Sequence, residues 1–180
     1  VILTFLVYVH FSNFIELFDG DFMRLTTKSR YGLRAMFDIA YNCGTMPAQI
    51  QDISRRQQIS PRYLEQIFQN LKRAGILKSK RGPQGGYCLA KKPDQITLLE
   101  ILCATENDVM LVDCAGVGIK KAKRKNECPH EGNCITQSVW EEASTLLNNY
   151  FGGMTLQNLC ERGLEMGIKR EEDHRFMYYI

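Results

Sequence analysis

Histidine is scarce and scattered in this chain, at His10, His130 and His174 only. No nucleophile–base constellation can be assembled around these residues, which argues against an enzyme. The formal net charge is only +3 over 180 residues, too small to imply a nucleic-acid partner by itself. No long apolar run is present either. The strongly apolar opening, residues 1–11, reaches about half of the roughly 20 residues that a bilayer-spanning helix needs. No basic segment precedes it, as one would in a secretory signal, so no membrane association is expected. The cysteines number seven, and an odd count does not close a disulfide framework. The expected setting is a reducing cytoplasm, where cysteines serve as free thiols, metal ligands or redox groups. An apolar fraction of 44% is ordinary for a globular protein.

What is present gains local logic from Met23 onward. Residues 1–22 carry Glu16, Asp19 and Asp21 behind the apolar opening. They read as an upstream extension outside the fold, with Met23 as the expected native start; an extra N-terminal helix packed on the domain is the alternative. Thr27 is the expected cap of a first helix running to about Asn42, with Tyr31, Ala35, Met36, Ile39, Ala40 and Cys43 at helical spacing and Gly44 as its stop. Pro47 is expected to open a short second helix with Ile50 and Ile53 inward and Arg55 and Arg56 outward. Ser60-Pro61 begins a third helix. The serine caps free amides, and a proline in the first turn loses no hydrogen bond. Tyr63, Leu64, Ile67, Phe68 and Leu71 form its apolar stripe, and Gly75 ends it. Two helices joined by a tight connection read as a helix-turn-helix.

Short strands at 76–80 and 87–90 flank Arg81-Gly82-Pro83-Gln84-Gly85-Gly86, a turn built from residues that permit tight or left-handed backbone. A hairpin directly after such a helix is a wing. Its glycines are too few and wrongly placed for a phosphate loop. Thr97 to Glu100 form a capping box that opens a further helix to about Ala104. Later, Ile135, Val139, Ala143, Leu146 and Tyr150 recur every three or four residues, with Trp140 and Leu147 beside them, up to Gly152-Gly153. A small winged domain cannot bury so long a stripe, so a second copy of the chain is its natural cover. The expected fold class is mainly α with a small β-wing: a winged helix-turn-helix domain plus a long dimerisation helix. The expected organisation is a DNA-binding domain at 23–92 and a linking helix with a cysteine loop at 93–133. A dimerisation helix and short terminal helix follow at 134–159, then a C-terminal tail at 160–180.

The major groove admits one helix, whose long polar side chains read base edges. On the third helix Arg62, Glu65, Gln66 and Gln69 lie opposite the apolar stripe, and Lys72 and Arg73 follow as phosphate contacts. Arg81 at the wing tip is placed to enter a minor groove, where narrow geometry concentrates negative potential. Basic residues cluster at 72–81, and a second basic run lies at 120–125. Together these features point to double-stranded DNA.

Cys114, Cys128 and Cys134 are separated by thirteen and five residues, in a polar stretch with Gly116, Gly118, Pro129 and Gly132. Cys43, Cys88, Cys103 and Cys160 instead sit where structural cysteines do, singly among apolar residues. Thiolates gathered in a loop suit soft metals, so an iron–sulfur cluster and zinc both qualify. For zinc, His130 offers a fourth ligand. A redox-active thiol pair is a third option.

Met23-Arg24-Leu25-Thr26-Thr27-Lys28-Ser29-Arg30-Tyr31-Gly32, Tyr63-Leu64-Glu65-Gln66 and Arg81-Gly82-Pro83-Gln84-Gly85-Gly86-Tyr87 closely resemble the IscR/NsrR/CymR family of bacterial regulators. The resemblance runs from Met23 to about Leu159. It implies a homodimeric repressor acting on a DNA operator. Glu65, Arg62 and Gln66 would read bases, and Arg81 would contact DNA from the wing. Cys114, Cys128 and Cys134 would hold the sensory iron–sulfur cluster, a two-iron two-sulfide form or alternatively a four-iron four-sulfide one. Two departures bear on the fourth ligand. Gln137 stands where one branch has a ligating histidine, and Arg30 stands where the nitric-oxide sensors have an acidic residue. His130, Asp113, a partner residue and a small molecule all stay open for that place. The closing Phe176-Met177-Tyr178-Tyr179-Ile180 resembles the end of the cysteine-metabolism repressors, which lack the cluster and act with cysteine synthase. A metal-free, thiol- or partner-controlled repressor is therefore the second reading, and a zinc-stabilised protein-interaction module the third.

Overall fold

A computed structural model describes residues 25–44, 46–106, 111–112, 130 and 133–171. The first helix, α1 (Thr27–Asp38), is capped by the Thr26 side chain, which accepts from the Ser29 amide at 3.4 Å. The cap thus lies one residue before the expected Thr27. The helix widens into a π turn over Ile39–Cys43 and stops at Gly44, whose φ is +55°. Its inner face carries Ser29, Gly32, Ala35, Met36 and Asp38.

Pro47 does not open a helix. The chain there is extended, and Ala48 exchanges two 2.8 Å hydrogen bonds with Tyr87 before α2 (Ile50–Gln57) begins. The backbone groups of Ala48 are claimed by the wing's edge before a helix can use them. Gly86 makes this approach possible, because a Cβ there would sit 2.3 Å from the Ala48 carbonyl oxygen. After Gln58, at φ +54°, Ser60 caps α3 (Pro61–Arg73) by accepting from the Tyr63 amide at 3.4 Å. Leu64, Ile67, Phe68 and Leu71 of this helix are fully buried.

The wing pairs β1 (Leu77–Lys80) with β2 (Gly86–Leu89) antiparallel, with Leu77 opposite Leu89 and Lys80 opposite Gly86. A short 3-10 turn (Pro93–Gln95) leads to α4 (Leu98–Glu106). The expected capping box is present: the Thr97 amide donates to Glu100 Oε2 at 2.9 Å, and the Glu100 amide donates to Thr97 Oγ1 at 3.1 Å. The long helix α5 (Ile135–Gly153) and α6 (Leu156–Glu165) complete the described elements.

One core runs through all of these. Ile96, Leu98, Ile101, Met154 and Leu156 share it with Ala35, Met36 and the α3 stripe. The α5–α6 junction is tied to the start of α4 by Leu98 N–H to the Met154 carbonyl at 2.9 Å and Leu156 N–H to the Ile96 carbonyl at 2.8 Å. The chain beyond Leu159 is no free tail within the described residues. Helix α6 continues to Glu165, and the strand of chain after it lies back on the π turn of α1. Tyr41 donates to the Ile168 carbonyl at 2.6 Å, Arg170 covers the Tyr41 ring at 4.9 Å, and Glu171 pairs with Arg55 at 2.6 Å. No helix among the described residues is long and apolar enough to cross a membrane.

Candidate functional site

The polar face of α3 is set by the depth of its apolar one. With four consecutive stripe residues locked in the core, Arg62, Glu65, Gln66 and Gln69 all stand exposed on the opposite side. Lys72 and Arg73 are exposed at the helix end, and Arg81 at the start of the wing turn. Two aromatic contacts hold this face in place. Tyr63 meets Tyr31 of α1 edge-on at 5.9 Å, and Phe68 packs on Tyr87 of β2 at 4.6 Å. Burial, helped by the Glu65 carboxylate, pushes the Tyr87 phenol above its ordinary range. Lys72 has a partner of its own: Nζ donates to Ser79 Oγ of β1 at 3.0 Å, joining helix end to wing.

Beneath the site lies a polar network that the sequence reading missed. Arg56, expected to point outward, turns inward and grips Asp38. Nε lies 3.0 Å from both carboxylate oxygens and Nη2 lies 2.6 Å from Oδ1. The Asp38 side chain is 0% exposed and that of Arg56 8%. Gln57 adds a bond from Nε2 to Asp38 Oδ2 at 2.9 Å, and Arg34 donates to Gln57 Oε1 at 3.2 Å. A buried carboxylate requires such partners, and the pair fixes α2, hence the turn before α3, on α1. The available signal was an aspartate at a buried position of α1, between Ala35 and Ile39.

Of the three candidate metal ligands, Cys114 and Cys128 lie outside the described residues, as does Asp113. Cys134 is the N-cap residue of α5, its Sγ 3.1 Å from Thr136 Oγ1. The Thr136 hydroxyl, followed by the amides of Thr136 and Gln137, holds this thiol below its ordinary range. That is the disposition a thiolate ligand needs. Cys160 behaves oppositely, since burial pushes its thiol up. Among the described residues no three His, Cys, Asp or Glu side chains gather as a metal site. His130 is exposed.

The apolar stripe of α5 faces away from the core. Ile135 is 86% exposed, Leu146 70%, Val139 59% and Tyr150 57%. The helix instead turns Ser144 inward.

Residues 25–162 match the family model Rrf2, described as an iron-dependent transcriptional regulator. A provisionally named HTH-type transcriptional regulator of Neisseria meningitidis serogroup A is 40% identical over 140 residues, covering 78% of this chain and 89% of the relative. The HTH-type transcriptional regulator IscR of Cronobacter sakazakii is 39% identical over 156 residues, covering 85% and 91%. Among solved structures, IscR of T. potens has a TM-score of 0.63 at 31% identity, covering 87% of this chain and 97% of that one. CymR, the global cysteine regulator of B. subtilis, has a TM-score of 0.60 at 27% identity, covering 78% and 98%.

Proposed function

The chain belongs to the Rrf2 family of iron-dependent transcriptional regulators, and from that premise we propose a homodimeric, cytoplasmic repressor that reads its operator with α3 and senses iron–sulfur status, redox state or nitric oxide. The chain is a DNA-binding transcriptional regulator rather than an enzyme. The observation that carries the finer reading is the exposed row Arg62, Glu65, Gln66 and Gln69 on a helix buried along its other side, with a basic wing packed beside it. Arginine suits guanine, glutamine suits adenine and glutamate accepts from cytosine. Arg73 and Lys72 are the proposed phosphate contacts, and Arg81 the proposed minor-groove contact. The exposed stripe of α5 supplies the dimer interface.

Cys114, Cys128 and Cys134 are the proposed cluster ligands, with a two-iron two-sulfide form favoured and the fourth place unassigned. The low-lying Cys134 thiol fits this donor set. When bound, an iron–sulfur cluster supplies a group whose oxidation, nitrosylation or loss biases the dimer between two states. A coupling of about 1–3 kcal/mol changes DNA affinity roughly 5- to 150-fold.

The test is anaerobic purification of the full chain, with a visible spectrum, assays of iron, sulfide and zinc, and selection of a binding site from random DNA. The expected result is coloured protein with iron and sulfide, and a Cys128→Ala variant that stays dimeric but loses iron. Protein still metal-free after attempted reconstitution would remove the sensor and leave the second reading, a thiol- or partner-controlled repressor, with cysteine synthase as the candidate partner. The likeness to CymR favours that alternative. Bound zinc without salt-dependent DNA binding would point to an interaction module.

A further inference from the structure

The hairpin has two unlike faces, because side chains alternate along each strand. Leu77 and Leu89 point into the core, Tyr87 lies on Phe68, and Ser79 is held by Lys72. The other face carries Lys78 and Lys80, with Cys88 opposite Lys78 and Gly86 opposite Lys80. The bond pair between Ala48 and Tyr87 adds a third extended segment along the outer edge of β2. Met46 and Pro47, just before it, line an open groove of about 500 Å³. Lys78, Ser79, Lys80, Gln84 and Cys88 line it as well. Among the described residues, no carboxylate pairs with either lysine.

We propose that this groove on the outer face of the wing seats the DNA sugar–phosphate backbone, with Lys78 and Lys80 as its phosphate contacts. The inference rests on the reading of α3 and the wing as the DNA interface. Unpaired cations on a concave surface call for an anion, and an open groove admits a chain passing through it. Continuity selects DNA as that anion: Lys80 adjoins Arg81, and the Lys72–Ser79 bond joins the same strand to α3. Lys72 also braces the wing against the recognition helix through Ser79, while Lys78 and Lys80 extend the electrostatic grip to the outer face, where among the described residues no carboxylate pairs with them.

The experiment measures the affinity of the full chain for a selected duplex of about 30 base pairs at several salt concentrations. Each lost phosphate contact lowers the magnitude of the slope of log K against log salt by about 0.9. The double variant Lys78→Ala, Lys80→Ala should therefore lower it by about 1.8 per protomer and leave the selected base sequence unchanged. Lys78→Arg with Lys80→Arg should keep the slope. Lys91→Ala, which removes a lysine already paired with Glu100 at 2.9 Å, controls for net charge. If the alanine pair keeps the wild-type slope, or if Lys91→Ala lowers it equally, this inference fails while the regulator reading stands. Binding of inorganic pyrophosphate in the groove, lost in the alanine pair without any change in the DNA slope, would assign it to a small phosphate instead. Absence of salt-dependent DNA binding by the unaltered chain would overturn the regulator reading and this inference with it.

Discussion

Replacing Arg56 by alanine should cost far more than an arginine on a short surface helix would. In the folded chain the Asp38 carboxylate is fully buried and receives three contacts from Arg56 and one from Gln57. The substitution leaves a buried charge with the Gln57 amide alone. Breaking a buried pair from one side costs about 3–5 kcal/mol, against a total stability of about 5–15 kcal/mol for a domain. With a urea dependence of about 2 kcal/mol per molar, the unfolding midpoint falls by about 2 M. The contrasting variant removes both charges, Asp38→Leu with Arg56→Met. It should recover most of that loss, because the pair itself contributes little beyond its own desolvation. Urea titrations followed by circular dichroism, at one fixed protein concentration, measure both. A midpoint for Arg56→Ala within about 0.5 M of wild type at unchanged slope would refute the buried pair. So would a double variant no more stable than the single one.

The remaining predictions concern the surface. Glu65→Ala should shift the base preferred at one operator position by about 1–3 kcal/mol of discrimination; identical selected sites would count against its role. Leu146→Asp should convert the dimer to monomer in sedimentation velocity with little loss of protomer helicity, since Leu146 is 70% exposed on one chain. A variant that stays dimeric would place the interface elsewhere. Glu100 links pH to stability. Burial raises its pKa, but hydrogen bonds from Lys91 and Thr97 outweigh this and hold it below the ordinary carboxylate range. Its contribution is thus complete above the unfolded-state value of about 4.3 and is lost as pH falls through the lower folded value. The stability gap between wild type and Glu100→Gln should narrow across that acidic interval, and a gap that stays constant there would exclude the linkage.

What was legible in the chain was local. Ser60-Pro61, the Leu64–Ile67–Phe68–Leu71 stripe, the glycine-bearing wing turn and the Thr97–Glu100 box each specify an element through groups a few residues apart. The structure has each of them. The exposed row on α3 followed from the same periodicity, because burying one face of a helix determines the other. Arg56 was misread for the complementary reason. Its partner Asp38 lies on another helix, and no pattern within α2 announces it.

The sequence by itself determined a helix-turn-helix with a wing, the polar side chains that α3 leaves exposed, and an α5 stripe too long for one small domain to cover. These depend on helical and strand periods and on capping, which act over a turn or two. Only the tertiary structure decided that Ala48 joins the wing, that the chain through Glu171 lies back against α1 and α2, and that Lys72 braces β1 while Lys78 and Lys80 share an open groove. Each of these pairs groups distant in sequence or across elements. Their partners are chosen by how helices and strands pack around one core, and that choice is not written in any single segment.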